Sequence, residues 1–249
     1  MLMKKALFFQ TLRQMQGIIA LERRYHGALP DIDNFQSPIA FSLPFTGEWT
    51  VVNGGVTQSL SHSWNVPTQR YAYDFLILDA GGHSSRGAKI TPDAFYCYEQ
   101  PILAPADGVV SEMLDGAPDS PISRRRRVSC LAPDLRGNYI LLHHGGDLYT
   151  LLAHLKANSL RVTIGQRVKR GDILAACGNS GNSSEPHLHL QLQQGADFYT
   201  APGLPMPFEN IAAKRLSSYA RFDLRPLPAA STHFPPYIER GMTVCNLPR

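Results

Sequence analysis

The chain has no CXXC pair, and its four cysteines, Cys97, Cys130, Cys177 and Cys245, are scattered through 249 residues. That argues against a cysteine zinc site, and nothing in the spacing demands a disulfide framework. No apolar stretch reaches the roughly 20 residues that a membrane-spanning helix needs, so no membrane span is expected. Charge of one sign is also scarce, with 24 Lys and Arg against 20 Asp and Glu. The one concentrated basic run, Arg124 to Arg127, has no interleaved aromatics and reads as a solvated loop, so no nucleic-acid partner is expected. Helical repeats and low-complexity tracts are missing too. The start, "MLMKKALFFQTLRQMQGIIALERRY", has early lysines, but Gln10 breaks its apolar run and no small-residue cleavage site follows. It reads as an amphipathic helix over residues 6–24 packed on the domain, and no clear signal peptide is seen.

What the chain does hold is 20 Gly and 19 Pro between short apolar runs, the texture of a strand-rich protein. Residues 1–45 are expected to form a helical extension and connector, 46–205 a mainly β domain, and 206–249 a proline-rich C-terminal extension. "RYAYDFLILD" reads as a strand. "QPILAPADGVVSEM" reads as strand, turn, strand, with Asp107 a turn residue beside Gly108. "GNYILLHHGGDLYTLLAHL" reads as a hairpin turning at Gly145 and Gly146. Strand edges in such a core are best managed by closing or covering the sheets.

One stretch, "SSEPHLHLQL", carries the chemistry. Strand alternation sends His187 and His189 to one side and Leu188, Leu190 and Leu192 to the other, toward a core. Alone, such a pair is more often two ordinary imidazoles on a wet face. Three further features weigh against that reading. A Gly/Asn/Ser-rich loop delivers the pair, "LLAHL" puts His154 at the end of another strand, and "RYAYDF" embeds Asp74 among aromatics. A buried carboxylate is costly unless paired, hydrogen-bonded or metal-bound. Imidazole nitrogen and carboxylate oxygen both suit zinc, and a catalytic zinc site keeps one position open.

The ordered series Asp74, "ILAPADGVV", "GNYILLHHGG", "LLAHL" and "VTIGQRVKRGDILAACGNSGNSSEPHLHL" resembles the lysostaphin/LytM-type zinc metallopeptidases over about residues 69–192. The resemblance implies a duplicated-hybrid-motif antiparallel β sandwich or barrel-like core with an open groove, flanked here by the N-terminal helix and the C-terminal extension. It implies Zn²⁺ as cofactor, peptidoglycan peptides as substrate, and action at the periplasmic or extracellular face of a bacterial cell; a monomer is expected. It assigns metal binding to Asp74 and His189, and catalytic roles to His154 and His187.

The sequence departs from the family pattern at Arg70, where the family carries its first metal-binding histidine four positions before the aspartate. A guanidinium has no acceptor and cannot take that place. Either "SLSHSWNVPTQRYAYDF" folds His62 back beside Asp74 as the third ligand, or the site has lost a ligand and the domain binds wall or activates another hydrolase without catalysis. A phosphocarrier of the glucose enzyme IIA type shares the architecture but leaves Asp74 unexplained. Among other candidates, His83 reads as a solvent-exposed loop residue, His143 and His144 as structural hairpin residues, and Glu185 as a surface residue on the groove rim.

Overall fold

The computed structural model describes residues 2–87, 90–123, 127–130, 132–229 and 233–248, with side chains from residue 7 onward. Most of the Arg124 to Arg127 run therefore lies outside the described residues. Helix α1 (Leu2–Tyr25) is followed by β1 (Trp49–Asn53), β2 (Tyr73–Leu76), β3 (Pro101–Leu103), β4 (Gly108–Leu114), β5 (Asn138–His143) and β6 (Leu148–Leu155). Then come β7 (Arg167–Val168), β8 (Ile173–Ala176), β9 (Leu188–Gln194), β10 (Gly203–Leu204), β11 (Ile211–Arg215), a one-turn helix α2 (Tyr219–Phe222) and β12 (Met242–Asn246).

The strands pair antiparallel in one large sheet ordered β11-β12-β1-β2-β9-β6-β5-β4-β7, with β10 added to β9, while β3 and β8 form a second, two-stranded sheet. The mainly β expectation holds. The hairpin expected at Gly145 and Gly146 is the β5–β6 connection, where both glycines take positive φ.

Period-two alternation decides what each face of the large sheet carries. Leu188, Leu190 and Leu192 of β9, Tyr73 and Phe75 of β2, Leu152 of β6, and Ile140 and Leu142 of β5 all point into one core. Ile102, Leu174 and Ala175 of the small sheet belong to the same cluster. Phe45 stacks on Trp49 within it, ring centroids 4.6 Å apart. The opposite face carries Leu141, Leu151 and Ala153, packed with Phe198 in a smaller cluster. That second face is where Asp74 and His189 emerge.

The C-terminal segment is built into this sheet. β12 pairs with β1 on one side and β11 on the other. The Asn246 amide side chain bonds both the N–H and the carbonyl of Leu43, fastening the incoming connector to the end of the chain.

Two glycines sit back to back where the loop before β5 meets the loop before β9. Gly137 has φ +65°, and a Cβ there would lie 2.4 Å from the Ser180 carbonyl carbon. Neither the conformation nor the space admits a side chain. Gly137→Ala is expected to destabilise the fold by about 1–3 kcal/mol, read as a lowered urea midpoint with unchanged slope.

Candidate functional site

Strand register places four residues side by side across the second face of the large sheet. Asn53 of β1 pairs with Asp74 of β2, Asp74 pairs with His189 of β9, and His189 pairs with Ala153 of β6. A bulge in β1 between Val51 and Asn53 turns the Asn53 side chain toward Asp74. Its amide then donates to Asp74 Oδ2 at 3.0 Å. His189 Nδ1 stands 3.0 Å from Asp74 Oδ1, and its Nε2 stands 3.0 Å from Gln191 Oε1. The orientation of that glutamine is fixed because its own amide nitrogen donates to Thr68 O and Gln193 Oε1.

Plain alternation along β6 would send His154 into the core, on the side of Leu148 and Leu152. A second bulge prevents this. Between paired positions, β5 advances two residues (138 to 140) while β6 advances three (152 to 155). The extra residue takes a left-handed φ of +61° at His154, a conformation that costs a non-glycine residue about 1 kcal/mol or more. The ring consequently packs against the site, its centroid 4.6 Å from that of His187 and 5.8 Å from that of His189. Its Nδ1–H donates to Ser180 O at 2.8 Å. His187, in the loop just before β9, donates Nδ1–H to Glu185 O at 2.7 Å, with Nε2 3.8 Å from Asp74 Oδ1. Both rings thus spend Nδ1–H on backbone carbonyls and keep Nε2 for the site.

His62 arrives from a loop. The connection from β1 to β2 brings its Nδ1 to 3.6 Å from Asp74 Oδ2. At the position where the resembled family has a histidine, Arg70 clamps this loop. Its Nε donates to Trp64 O at 3.1 Å, and its guanidinium lies 5.1 Å from the Trp64 ring centroid. Arg240, fully buried, donates to Ser59 O at 3.1 Å and pairs with Asp223. Arg225, itself paired with Asp223, donates to Asn53 Oδ1 at 2.8 Å. The C-terminal segment therefore steadies both the His62 loop and the asparagine that holds Asp74.

The electrostatics follow from this crowding. Burial alone would raise the Asp74 carboxyl, but the imidazole of His62, the hydrogen bond from His189 and the charge of His187 outweigh it and hold the group well below the usual carboxylate range. Burial also opposes charge on His189, yet the hydrogen bond and charge of Asp74 prevail and raise it. Burial and the neighbouring His187 and His189 push His154 well below the ordinary histidine value, so that ring is neutral. Burial, only partly offset by Asp74, lowers His62.

These five side chains line one cavity of about 460 Å³, with Gln14, Arg136 and Asn182 on its walls. By chemistry the donor set of His62, Asp74 and His189 fits a divalent cation of the zinc type. Gln191 holds Nε2–H of His189, which leaves Nδ1 as the nitrogen that could meet a metal, the usual division of labour for a metal-bound imidazole. Among the described residues, however, no three such donors stand already arranged around a common point; instead Nδ1 of His189 bonds Asp74 directly.

The other sequence candidates fall elsewhere. His83 is exposed and bonded to Asp79. His144 links Asp107 O to Thr150, and His143 stacks on Tyr149, both lining a separate cavity. Asp107 is a turn residue that accepts from Arg170 N–H. Glu185 corrects the expectation of a surface residue: it is buried, and the Ser84 hydroxyl donates to its carboxylate at 2.6 Å. Asn53, Gln191 and Arg225 escaped the sequence reading. The alternation of "HLHLQLQ" contained the signal for Gln191, while Asn53 depends on a bulge and Arg225 on a distant segment.

Residues 90–200 match the family model described as Peptidase family M23. The matched segment includes His154, His187 and His189 but begins after His62 and Asp74. An uncharacterized metalloprotease of Haemophilus influenzae is 33% identical over 91 residues, which is 36% of this chain and 15% of that protein. The peptidoglycan DD-endopeptidase ShyA of Vibrio cholerae is 39% identical over 56 residues, 22% of this chain and 13% of that protein. The alignments thus span only a small part of these curated relatives. Of solved structures, a zinc containing peptidase from Vibrio cholerae aligns with TM-score 0.41 and 20% identity, covering 66% of this chain and 39% of that one. The catalytic domain of lysostaphin from Staphylococcus simulans aligns with TM-score 0.34 and 21% identity, covering 69% and 90%.

Asn53→Leu removes one donor from the buried Asp74 carboxylate and leaves it under-satisfied. The expected cost is about 1–3 kcal/mol, measured as the shift of the chemical unfolding midpoint at neutral pH.

Proposed function

We propose, for a chain whose residues 90–200 match the model of peptidase family M23, a zinc-dependent endopeptidase that hydrolyses amide bonds in peptidoglycan peptides. The observation that carries this reading is the convergence of His62, His187 and His189 on the buried Asp74, with His154 packed against them in the same cavity. Three imidazoles around a carboxylate exceed what burying that carboxylate requires; a single well-placed donor pair satisfies such a group.

In this reading His62, Asp74 and His189 hold the zinc ion. Bound there, zinc supplies Lewis acidity, polarising a peptide carbonyl and bringing the pKa of a water toward about 7. The remaining work falls to the protein. With Nδ1–H committed to Glu185 O, His187 presents Nε2 to the site and accepts the proton of the attacking water there. His154 faces the carbonyl oxygen. To hydrogen-bond a developing oxyanion it must carry a proton on Nε2 as well as Nδ1, and the growing negative charge beside the ring opposes the burial that keeps it neutral. Ser180 O and Glu185 O fix the two ring orientations, so each Nε2 is aimed before substrate arrives. A wall peptide as substrate puts the site of action at the periplasmic or extracellular face. The second reading, a wall-binding domain without catalysis, draws on the direct His189–Asp74 hydrogen bond.

Metal content and muropeptide cleavage separate the roles. Asp74→Ala and His189→Ala are expected to lose bound zinc and hydrolysis together, and His62→Ala to weaken zinc retention. His154→Ala and His187→Ala are expected to keep zinc while turnover falls by about 10²-fold or more. Wild-type protein that takes up no zinc on reconstitution and cleaves no muropeptide supports the non-catalytic reading instead.

A further inference from the structure

Helix α1 presents two stripes, and only one of them touches the domain. The inner stripe runs through positions 10, 14, 17 and 21. Gln10 is buried, its amide donating to Ala132 O at 2.5 Å and its oxygen accepting from Asn182 Nδ2 at 3.2 Å. Gly17 packs its backbone against Tyr199 O, leaving no room for a side chain, and Leu21 is fully buried. Gln14 reaches the wall of the cavity that holds Asp74. Below this stripe, Tyr25 closes the contact through a bond to Gln194.

Shift that pattern back by two residues and it becomes Phe8, Leu12, Met15 and Ile19. Two residues turn a helix by about 200°, so this second stripe faces directly away from the first. All four side chains are exposed, Phe8 at 63% and Met15 at 57%. Leu7 and Phe9, exposed as well, widen the face on both flanks. Single exposed apolar residues are ordinary, but three helical turns of them aimed at water are not.

The charges on the same helix narrow the occupant. Arg13, Arg23 and Arg24 are exposed, against a single acid, Glu22. A second copy paired along the stripe would bring these arginines together with too few carboxylates to match them. The apolar face is also broader than the narrow seam such pairing uses. Among the described residues, no helix is long and apolar enough to cross a membrane.

We propose that α1 docks this protein on an anionic lipid bilayer surface, lying in the interface with Phe8, Leu12, Met15 and Ile19 in the acyl boundary and its arginines among the headgroups. Because Gln14 belongs to both the inner stripe and the cavity wall, a helix lying flat holds the Asp74 cavity close to the bilayer.

The test is co-sedimentation of the full chain with unilamellar vesicles of phosphatidylcholine alone or mixed with phosphatidylglycerol. Wild-type protein is expected to pellet with the anionic vesicles, less so at high salt, and poorly with phosphatidylcholine. A Phe8→Ser, Met15→Ser, Ile19→Ser triple variant is expected to lose about tenfold or more of this partitioning. Because these side chains are exposed, its circular dichroism and thermal unfolding should match wild type. Three results overturn the proposal: equal binding to both vesicle types, no binding to either, or a wild-type dimer in lipid-free ultracentrifugation that the triple variant dissolves. The last would make a second copy the occupant. None of these measurements depends on zinc or hydrolysis.

Discussion

The site depends on one pairing between neighbouring strands. Asp74 and His189 are register partners in β2 and β9, and both are buried on the face opposite the main core. A carboxylate in that position is tolerable only because an imidazole stands beside it at 3.0 Å and an amide donates from the other side. The backbone ladder fixes this arrangement, so it needs no precise loop conformation. Ala153, the next residue across the row, is small and leaves the space in which His154 and His187 face the pair.

Around this row the protein uses three different devices to import side chains. His187 comes from a loop tied by its own Nδ1–H to a nearby carbonyl, His154 from a bulge, and His62 from a connection clamped by Arg70 and Arg240. The devices differ in stiffness. A bulge is held by ladder hydrogen bonds on both sides, whereas the His62 loop relies on side-chain contacts from elsewhere in the chain. His62 is also the most exposed of the five.

What the sequence made legible divides along the same line. Period two in "HLHLQL" gave the correct faces for His189 and its leucine neighbours, and "RYAYDF" was readable as a strand carrying Asp74, because both are local properties. The hairpin at Gly145 was readable for the same reason. The proximity of His62 to Asp74 was argued from a turn-rich intervening segment, though the path is a loop organised by Trp64 and Arg70 and joins two paired strands. Contributions from far along the chain were not legible. Asn53 reaches Asp74 through an irregularity of register, Arg225 and Arg240 act from over 160 residues away in sequence, and Glu185 is buried because the Ser84 loop folds over it.

The single extra residue in β6 also makes fold and chemistry separable within one strand. Deleting one residue from Ala153–His154 would restore an unbroken ladder and a residue count that suits the sheet. Loss of His154 would remove the imidazole, and loss of Ala153 would move it into that residue's place beside His189, while every neighbouring strand kept its partner. Either step would leave the sheet paired yet take the ring from where it packs against His187, so the irregularity, more than any of the regular structure, is what holds His154 in the cavity around Asp74.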